Sequence, residues 1–258
     1  MTSQPNMFSL AGQQVLVIGG GSGIGRSIAL GMAQAGARVH VCGRRQEALD
    51  ETRELIRRAG LEPGLALPAD ARDVAGMDGL IGVLRQATGI PDVLVNAQGV
   101  MALKNAEDFD ESDYERIMDT NVRSVWFAST RFGRAMLERG SGCIISIASL
   151  ASFRGFARNG IYCMSKHSVR ALTETLASEW AARGVRVNAI APGFFMTDLN
   201  KDSMSPERKA RALARIPMGR FGELDELQGA AVYLASPAAR YVTGATIPVD
   251  GGFLAAGM

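Results

Sequence analysis

A strand-length apolar run, Val15-Leu16-Val17-Ile18, breaks directly into Gly19-Gly20-Gly21-Ser22-Gly23-Ile24-Gly25. A helical pattern follows, with Ile28, Ala29, Met32 and Ala33 on its inner side. Glycines permit a tight turn and a close approach of backbone to a ligand, and the helix start behind them aims N–H groups at an anion. A glycine turn alone is only a sharp loop. Between a strand and a helix it reads as a dinucleotide phosphate site. The spacing is Gly19-x-x-x-Gly23-x-Gly25, which differs from the commoner Gly-x-Gly-x-x-Gly fingerprint.

The same strand-then-helix rhythm continues along the chain. Strands are expected at about 14–19, 37–42, 64–68, 93–96, 143–149, 186–191 and 245–249. Helices are expected at about 24–35, 46–59, 75–87, 110–139, 160–183 and 223–235. Strands separated by helices imply a parallel sheet covered on both faces, hence a single α/β domain over 1–258. That length suffices for one sizeable core, and no repeat or linker marks a second domain. The rhythm fails at about 194–220, a polar, methionine-containing stretch that reads as a lid over a site or as a surface insertion of helices.

Tyr162-Cys163-Met164-Ser165-Lys166 places a tyrosine and a lysine one helical turn apart. A free phenol, with its pKa near ~10, exchanges protons poorly at neutrality, and a fixed ammonium beside it favours the phenolate. The pair then suits proton exchange with a carbonyl or alcohol oxygen. Alone the pattern is weak and describes many solvated helix faces. Thirteen residues upstream, Ser149 ends the apolar run Cys143-Ile144-Ile145-Ser146-Ile147-Ala148, and the C-terminal end of a buried parallel strand faces the ligand crevice.

From about Leu10 to Gly252 the chain resembles the short-chain dehydrogenase/reductase family. Gly19, Gly23, Gly25, the Asn96–Gly99 segment, Asn121, Ser149, Tyr162, Lys166 and Pro192-Gly193 fall in family order at family spacing. The resemblance implies a Rossmann-type, doubly wound fold with a seven-stranded parallel sheet. It implies reduction of a ketone to a secondary alcohol, or the reverse, by hydride transfer from a nicotinamide cofactor. Tyr162 is then the acid/base, and Ser149 holds the substrate oxygen. Lys166 lowers the tyrosine pKa and binds the nicotinamide ribose, while Asn121 holds a water leading to Lys166. Cofactor contacts are implied at Gly19, Gly21, Ser22, Gly23, Ile24, Gly25, Asn96, Ala97, Gln98, Tyr162, Lys166, Pro192, Gly193 and Thr197. Asp70, with Ala71 beside it, is implied to accept from the adenine amino group, although a turn-forming aspartate is an equal alternative.

Two segments depart from the family pattern. Ala97-Gln98 replace Asn-Ala after the fourth strand, and Ile18 replaces a threonine before the glycine turn. An apolar Ile18–Ala97 contact is the expected substitute for the polar link of relatives.

Cofactor choice is written at the end of the second strand, where an NAD site usually carries an acid for the ribose 2′-hydroxyl. Here Gly43 stands in its place, followed by Arg44 and Arg45. The glycine removes a repulsive carboxylate, and Arg44 suits a bidentate pair with a 2′-phosphate. Arg45 either assists or stays solvated. NADP(H) is therefore expected over NAD(H).

Substrate walls are expected at Ala151, Arg154, Phe156, Phe194 and Phe195. The ending 217–222 and 251–255 looks most like gluconate 5-dehydrogenase-type relatives, which implies a keto-sugar acid or polyol. A 3-oxoacyl-thioester reductase or a hydrophobic ketone reductase is the alternative. A non-catalytic dinucleotide-binding protein is a third, opposed by the intact Asn121/Ser149/Tyr162/Lys166 set. The resemblance also implies a homotetramer built on the helices of 110–139 and 160–183.

Other chemistries find little support. A net charge of +2 gives no electrostatic case for nucleic acid or membrane. No His/Cys/carboxylate cluster has metal spacing, so no metal site is expected. Ser149 lacks a Gly-x-Ser-x-Gly elbow, so His167 does not complete a hydrolase triad. Cys42, Cys143 and Cys163 are odd in number and suit reduced core thiols. Met1–Ser9 shows no secretory pattern, which makes the cytoplasm the default expectation.

Overall fold

The computed structural model describes residues 6–196 and 205–256, apart from the side chain of Arg208. Seven strands form one sheet: β1 (Gln14–Ile18), β2 (Arg38–Gly43), β3 (Ala66–Pro68), β4 (Val93–Asn96), β5 (Gly142–Ile147), β6 (Val185–Pro192) and β7 (Thr246–Val249). Their order is β3-β2-β1-β4-β5-β6-β7, and every pairing is parallel. The helices are α1 (Gly23–Gln34), α2 (Gln46–Arg58), α3 (Val74–Ala87), α4 (Glu111–Met118), α5 (Ser124–Arg139), α6 (Gly160–Trp180), α7 (Pro206–Leu213) and α8 (Gln228–Ala235).

Strand alternation builds two cores. Val15, Val17, Val39, Val41, Val93 and Val95 pack with α1 and α8 on one face. Leu16, Ile18, Cys42, Leu94 and Ile144 pack with α3, α5 and α6 on the other. The chain steps outward from β1 to β3, then returns to β4 on the other side of β1. That reversal opens a crevice at the strands' carboxyl ends. The expected doubly wound α/β architecture is present, with element ends shifted by a few residues.

One long helix was expected over 110–139. It is instead α4 and α5 joined by a wider π-helical turn at Asp119–Arg123. Such turns often mark function. This one carries Asn121 inward, fully buried. Ile18 and Ala97 do not make the expected side-chain contact, because they join cores on opposite faces of the sheet. Their segments meet through the backbone, with the Ala97 N–H donating to the Ile18 carbonyl at 2.9 Å. The middle of the expected lid, including Thr197, Leu199 and Met204, lies outside the described residues. Its far side is α7, followed by a turn that ends in Gly219-Arg220. All three cysteines are buried, and burial pushes the Cys42 thiol up to about 12.

Candidate active site

A cavity of about 600 Å³ lies over the carboxyl ends of the strands, and the glycine turn forms its floor. The turn is held from behind. Arg26 donates to the Gly21 carbonyl at 2.5 Å and pairs with Glu51, while the Thr52 hydroxyl donates to the Gly20 carbonyl at 2.9 Å. Gly19 (φ 82°) and Gly23 (φ 50°) adopt backbone that other residues reach only with strain. A Cβ at Gly19 would stand 2.7 Å from the Gln98 nitrogen, and one at Gly25 would stand 2.2 Å from the Gly19 carbonyl oxygen. These contacts let the turn and the 96–99 segment close on each other.

The first turn of α1 has no side-chain cap and no acidic residue. Its orphan N–H groups are therefore available to an anion. Gly43, Arg44 and Arg45 line the same cavity, as do Asp70 and Ala71, Ala97 and Gln98, and Pro192 and Gly193. The side chains of Arg44 and Arg45 make no hydrogen bond or ion pair among the described residues. Uncapped N–H groups, a glycine cradle and two uncommitted guanidiniums fit a phosphorylated dinucleotide. NADP(H) would be held by Gly19–Gly25 at its pyrophosphate and by Arg44 at its 2′-phosphate.

Ser149, Tyr162 and Lys166 enter the cavity from β5 and α6. Ser149 is extended and caps a short turn, its Oγ accepting from the Ala151 N–H at 3.2 Å. Its hydroxyl also meets the Tyr162 phenol. Lys166 is buried, with Nζ donating to the Ile147 carbonyl at 2.7 Å. Its Nζ lies 5.7 Å from the centroid of the Tyr162 ring. Burial lowers the Lys166 pKa to about 8. Burial also raises that of Tyr162, and the Ser149 hydroxyl offsets part of this rise. Burial is the first cause of both shifts, and the Lys166 cation stands beside the Tyr162 ring. Desolvation dominates both groups, and the ammonium is engaged by a carbonyl rather than by the phenol.

Asn121 stands behind the cavity and does not line it. Its Oδ1 accepts from the Val100 N–H at 2.8 Å, and its Nδ2 donates to the Val100 carbonyl at 2.9 Å and to Ser165 Oγ at 3.0 Å. A Cβ placed on Gly99 would lie 3.5 Å from Asn121 Oδ1 and 3.6 Å from Lys166 Nζ. Both groups therefore face the same glycine.

Several expected contacts fall elsewhere. Asn96 is buried within β4, with Nδ2 donating to Ser129 Oγ at 3.0 Å, so it braces α5 and does not face the cavity. Of the five expected substrate-wall residues, only Phe195 lines the cavity. Ala151 is buried, and Arg154 donates to the Leu254 carbonyl at 3.0 Å. Phe156 stacks on Phe253, and Phe194 meets the same ring edge-on at 5.3 Å. The aromatic sequence signal around 150–158 and 194 therefore belongs to a cluster that pins the C-terminal turn. Residues not anticipated also line the cavity: Met101, Arg116, Thr120 and Arg72, the last only two positions beyond Asp70.

The family model described as Enoyl-(Acyl carrier protein) reductase matches residues 19–254. The chain is 40% identical to the 2-dehydro-3-deoxy-D-gluconate 5-dehydrogenase of Bacillus subtilis, over 96% of each chain. It is also 40% identical to the galactitol 2-dehydrogenase (L-tagatose-forming) of Cereibacter sphaeroides, over 96% of this chain and 97% of the other. Among solved structures it resembles a gluconate 5-dehydrogenase from Burkholderia cenocepacia in complex with NADP and tartrate. The TM-score is 0.92 and the identity 33%, over 96% of this chain and 98% of that one. With the parallel sheet, the glycine turn and the Ser149/Tyr162/Lys166 constellation, these likenesses show that the chain belongs to the short-chain dehydrogenase/reductase family.

Proposed function

We propose that the chain is an NADP(H)-dependent oxidoreductase that interconverts a secondary alcohol and a ketone on a keto-sugar acid or polyol. One observation carries this reading. A single cavity holds Ser149, Tyr162 and Lys166 together with the glycine turn and Arg44. The substrate class draws on relatives named 2-dehydro-3-deoxy-D-gluconate 5-dehydrogenase, galactitol 2-dehydrogenase and D-threitol dehydrogenase.

Bound NADP(H) supplies or accepts the hydride. Tyr162 gives its proton to the substrate oxygen in reduction and takes it back in oxidation. Burial keeps its phenol protonated at neutral pH, which is the form that donates. Ser149 donates to the same oxygen and stabilises charge developing there. Lys166 places a cation beside the ring, and Asn121 fixes α6 against the loop at Val100.

A homotetramer belongs to the same reading. Tyr114, Trp126 and Met164, on α4, α5 and α6, are 45%, 42% and 53% exposed. Such residues suit helix faces covered by further copies. Light scattering behind size exclusion tests this, and a clean monomer refutes it. The cytoplasm is the proposed location, and no helix among the described residues is long and apolar enough to cross a membrane.

The deciding experiment follows consumption of NADPH and NADH by purified protein across 5-ketogluconate, ketoses, acetoacetyl thioesters and hydrophobic diketones. NADPH-selective turnover of a keto-sugar acid or ketose is the expected result. Selective turnover of the thioester replaces the substrate class, and NADH preference overturns the cofactor. Binding without turnover of any member overturns the catalytic reading.

A further inference from the structure

Asp70 and Arg72 form a closed pair in the cavity wall. Arg72 Nε lies 3.1 Å from both carboxylate oxygens, its Nη2 lies 2.6 Å from Oδ2, and its backbone N–H donates to Oδ1 at 3.0 Å. The loop beneath them is fixed as well. Arg123 donates to the Arg72 carbonyl at 3.1 Å, and the Asp73 N–H donates to the Asp70 carbonyl at 3.0 Å. The paired side chains are 34% and 42% exposed, so the pair adds little to stability. Its consequence is electrostatic.

Asp70 is the one carboxylate lining the cavity among the described residues, against Arg44, Arg45, Arg72, Arg116 and Lys166. Arg44 is close enough for its charge to act on the Asp70 carboxylate, yet it makes no ion pair with it. An unpaired carboxylate at this place would draw Arg44 to itself and repel a phosphate brought to Arg44. With four contacts from Arg72, Asp70 does neither.

We infer that Arg72 is a specificity-determining positioning residue: by clamping the Asp70 carboxylate it keeps Arg44 free for the 2′-phosphate. This rests on the NADP(H) reading above. Asp70 remains partly exposed in the cavity wall and keeps acceptor capacity beyond the Arg72 contacts, so the clamp is compatible with an adenine contact at the same carboxylate.

The test is fluorescence titration of the full chain with NADPH and with NADH, giving a Kd for each without turnover. Wild type is expected to prefer NADPH, and preference for NADH overturns both the cofactor reading and this inference. Given NADPH preference, Arg72→Ala should reduce the NADPH-over-NADH selectivity roughly tenfold by exposing the carboxylate. The double variant Asp70→Asn/Arg72→Ala should restore selectivity to within about threefold of wild type, because no charge remains to mask. Equal weakening of both cofactors by Arg72→Ala, or no recovery in the double variant, overturns the inference and leaves the cofactor reading standing. Asp70→Asn alone keeps the arginine and serves if Arg72→Ala does not fold. Its selectivity should equal or exceed wild type, and a fall overturns the inference.

Discussion

Asn121 Nδ2 donates to Ser165 Oγ at 3.0 Å, and Ser165 Oγ in turn donates to the Tyr162 carbonyl at 2.7 Å. The π-helical turn is thereby bonded to the helix that carries both Tyr162 and Lys166. An asparagine inside a helix ordinarily weakens it. Here the wider turn aims the amide at Val100 and Ser165, so the cost of the irregular turn is offset by three hydrogen bonds, two part-buried and one buried. Asn121→Ala removes all three and leaves the Val100 backbone groups unpartnered. A destabilisation of about 2–4 kcal/mol is expected from urea unfolding, with kcat falling more than NADPH affinity. A loss of affinity larger than the loss of kcat would contradict this positioning role.

The fold was legible because period and punctuation agreed. Apolar runs alternated with helical patterns, and the glycine turn at Gly19–Gly25 fixed where the ligand crevice opens. Ser149, Tyr162 and Lys166 were legible because strand ends and helix spacing are local properties. The substrate wall was not. Whether Phe156 and Phe194 face a cavity or a core depends on where Phe253 lands, and that contact joins residues about a hundred positions apart or more than fifty. The break at Asp119–Arg123 was equally hidden. A π turn adds one residue to a helix without disturbing the hydrophobic pattern enough to announce itself. Arg72 was missed because its role is exercised through Asp70 rather than through any motif.

Tyr162→Phe keeps the aromatic ring and removes only the hydroxyl that faces Ser149. Turnover in both directions should fall by at least about a thousandfold, a loss consistent with removal of general acid–base catalysis. The NADPH Kd should stay within about threefold of wild type, since the backbone cradle at Gly19–Gly25 is untouched. Substantial residual turnover would remove Tyr162 from the proton-transfer role.

Lys166 is expected to trade stability for activity. Its ammonium is buried without a carboxylate, and its pKa falls to about 8 from an unfolded value near 10.5. Between those values the unfolded chain binds more protons than the native one, so this group's contribution to stability improves as pH rises through that window. Below pH 8 the native state carries the full cost. Lys166→Met removes that cost and forfeits the bond to the Ile147 carbonyl. The cofactor-free variant should be more stable than wild type at pH 7 by about 1–2 kcal/mol, while turnover is lost. Calorimetry at pH 7 checks this, and a variant less stable than wild type would contradict it.

Arg44 stands beyond the end of β2 with no partner within the described residues, and Gly43 beside it carries no acid. Arg44→Ala should raise the KM for NADPH roughly 10- to 100-fold and that for NADH less than about threefold, since only the former carries the extra phosphate. Equal changes for both cofactors would show that Arg44 does not read the 2′-phosphate.

His40 makes the protein's acid stability testable at one residue. The ring is fully buried in β2, with Nδ1 accepting from the Leu65 N–H at 3.0 Å. That bond fixes the proton on Nε2, which donates to Gln14 Oε1 at 2.7 Å. A second proton would break the Leu65 bond and place a charge in the core. Burial, with Arg38 adding to it, lowers the pKa to about 4 from 6.5. As pH falls below 6.5 the unfolded chain takes up a proton that the native state refuses, so stability falls until pH reaches about 4. The loss attributable to this one group is about 2–3 kcal/mol across that window. His40→Gln keeps a neutral hydrogen-bonding side chain and does not titrate. Wild type should exceed this variant in unfolding free energy at pH 7, and the gap should narrow steadily toward pH 4.5 in urea titrations. A gap independent of pH would mean that His40 carries the same charge in the folded and unfolded chain.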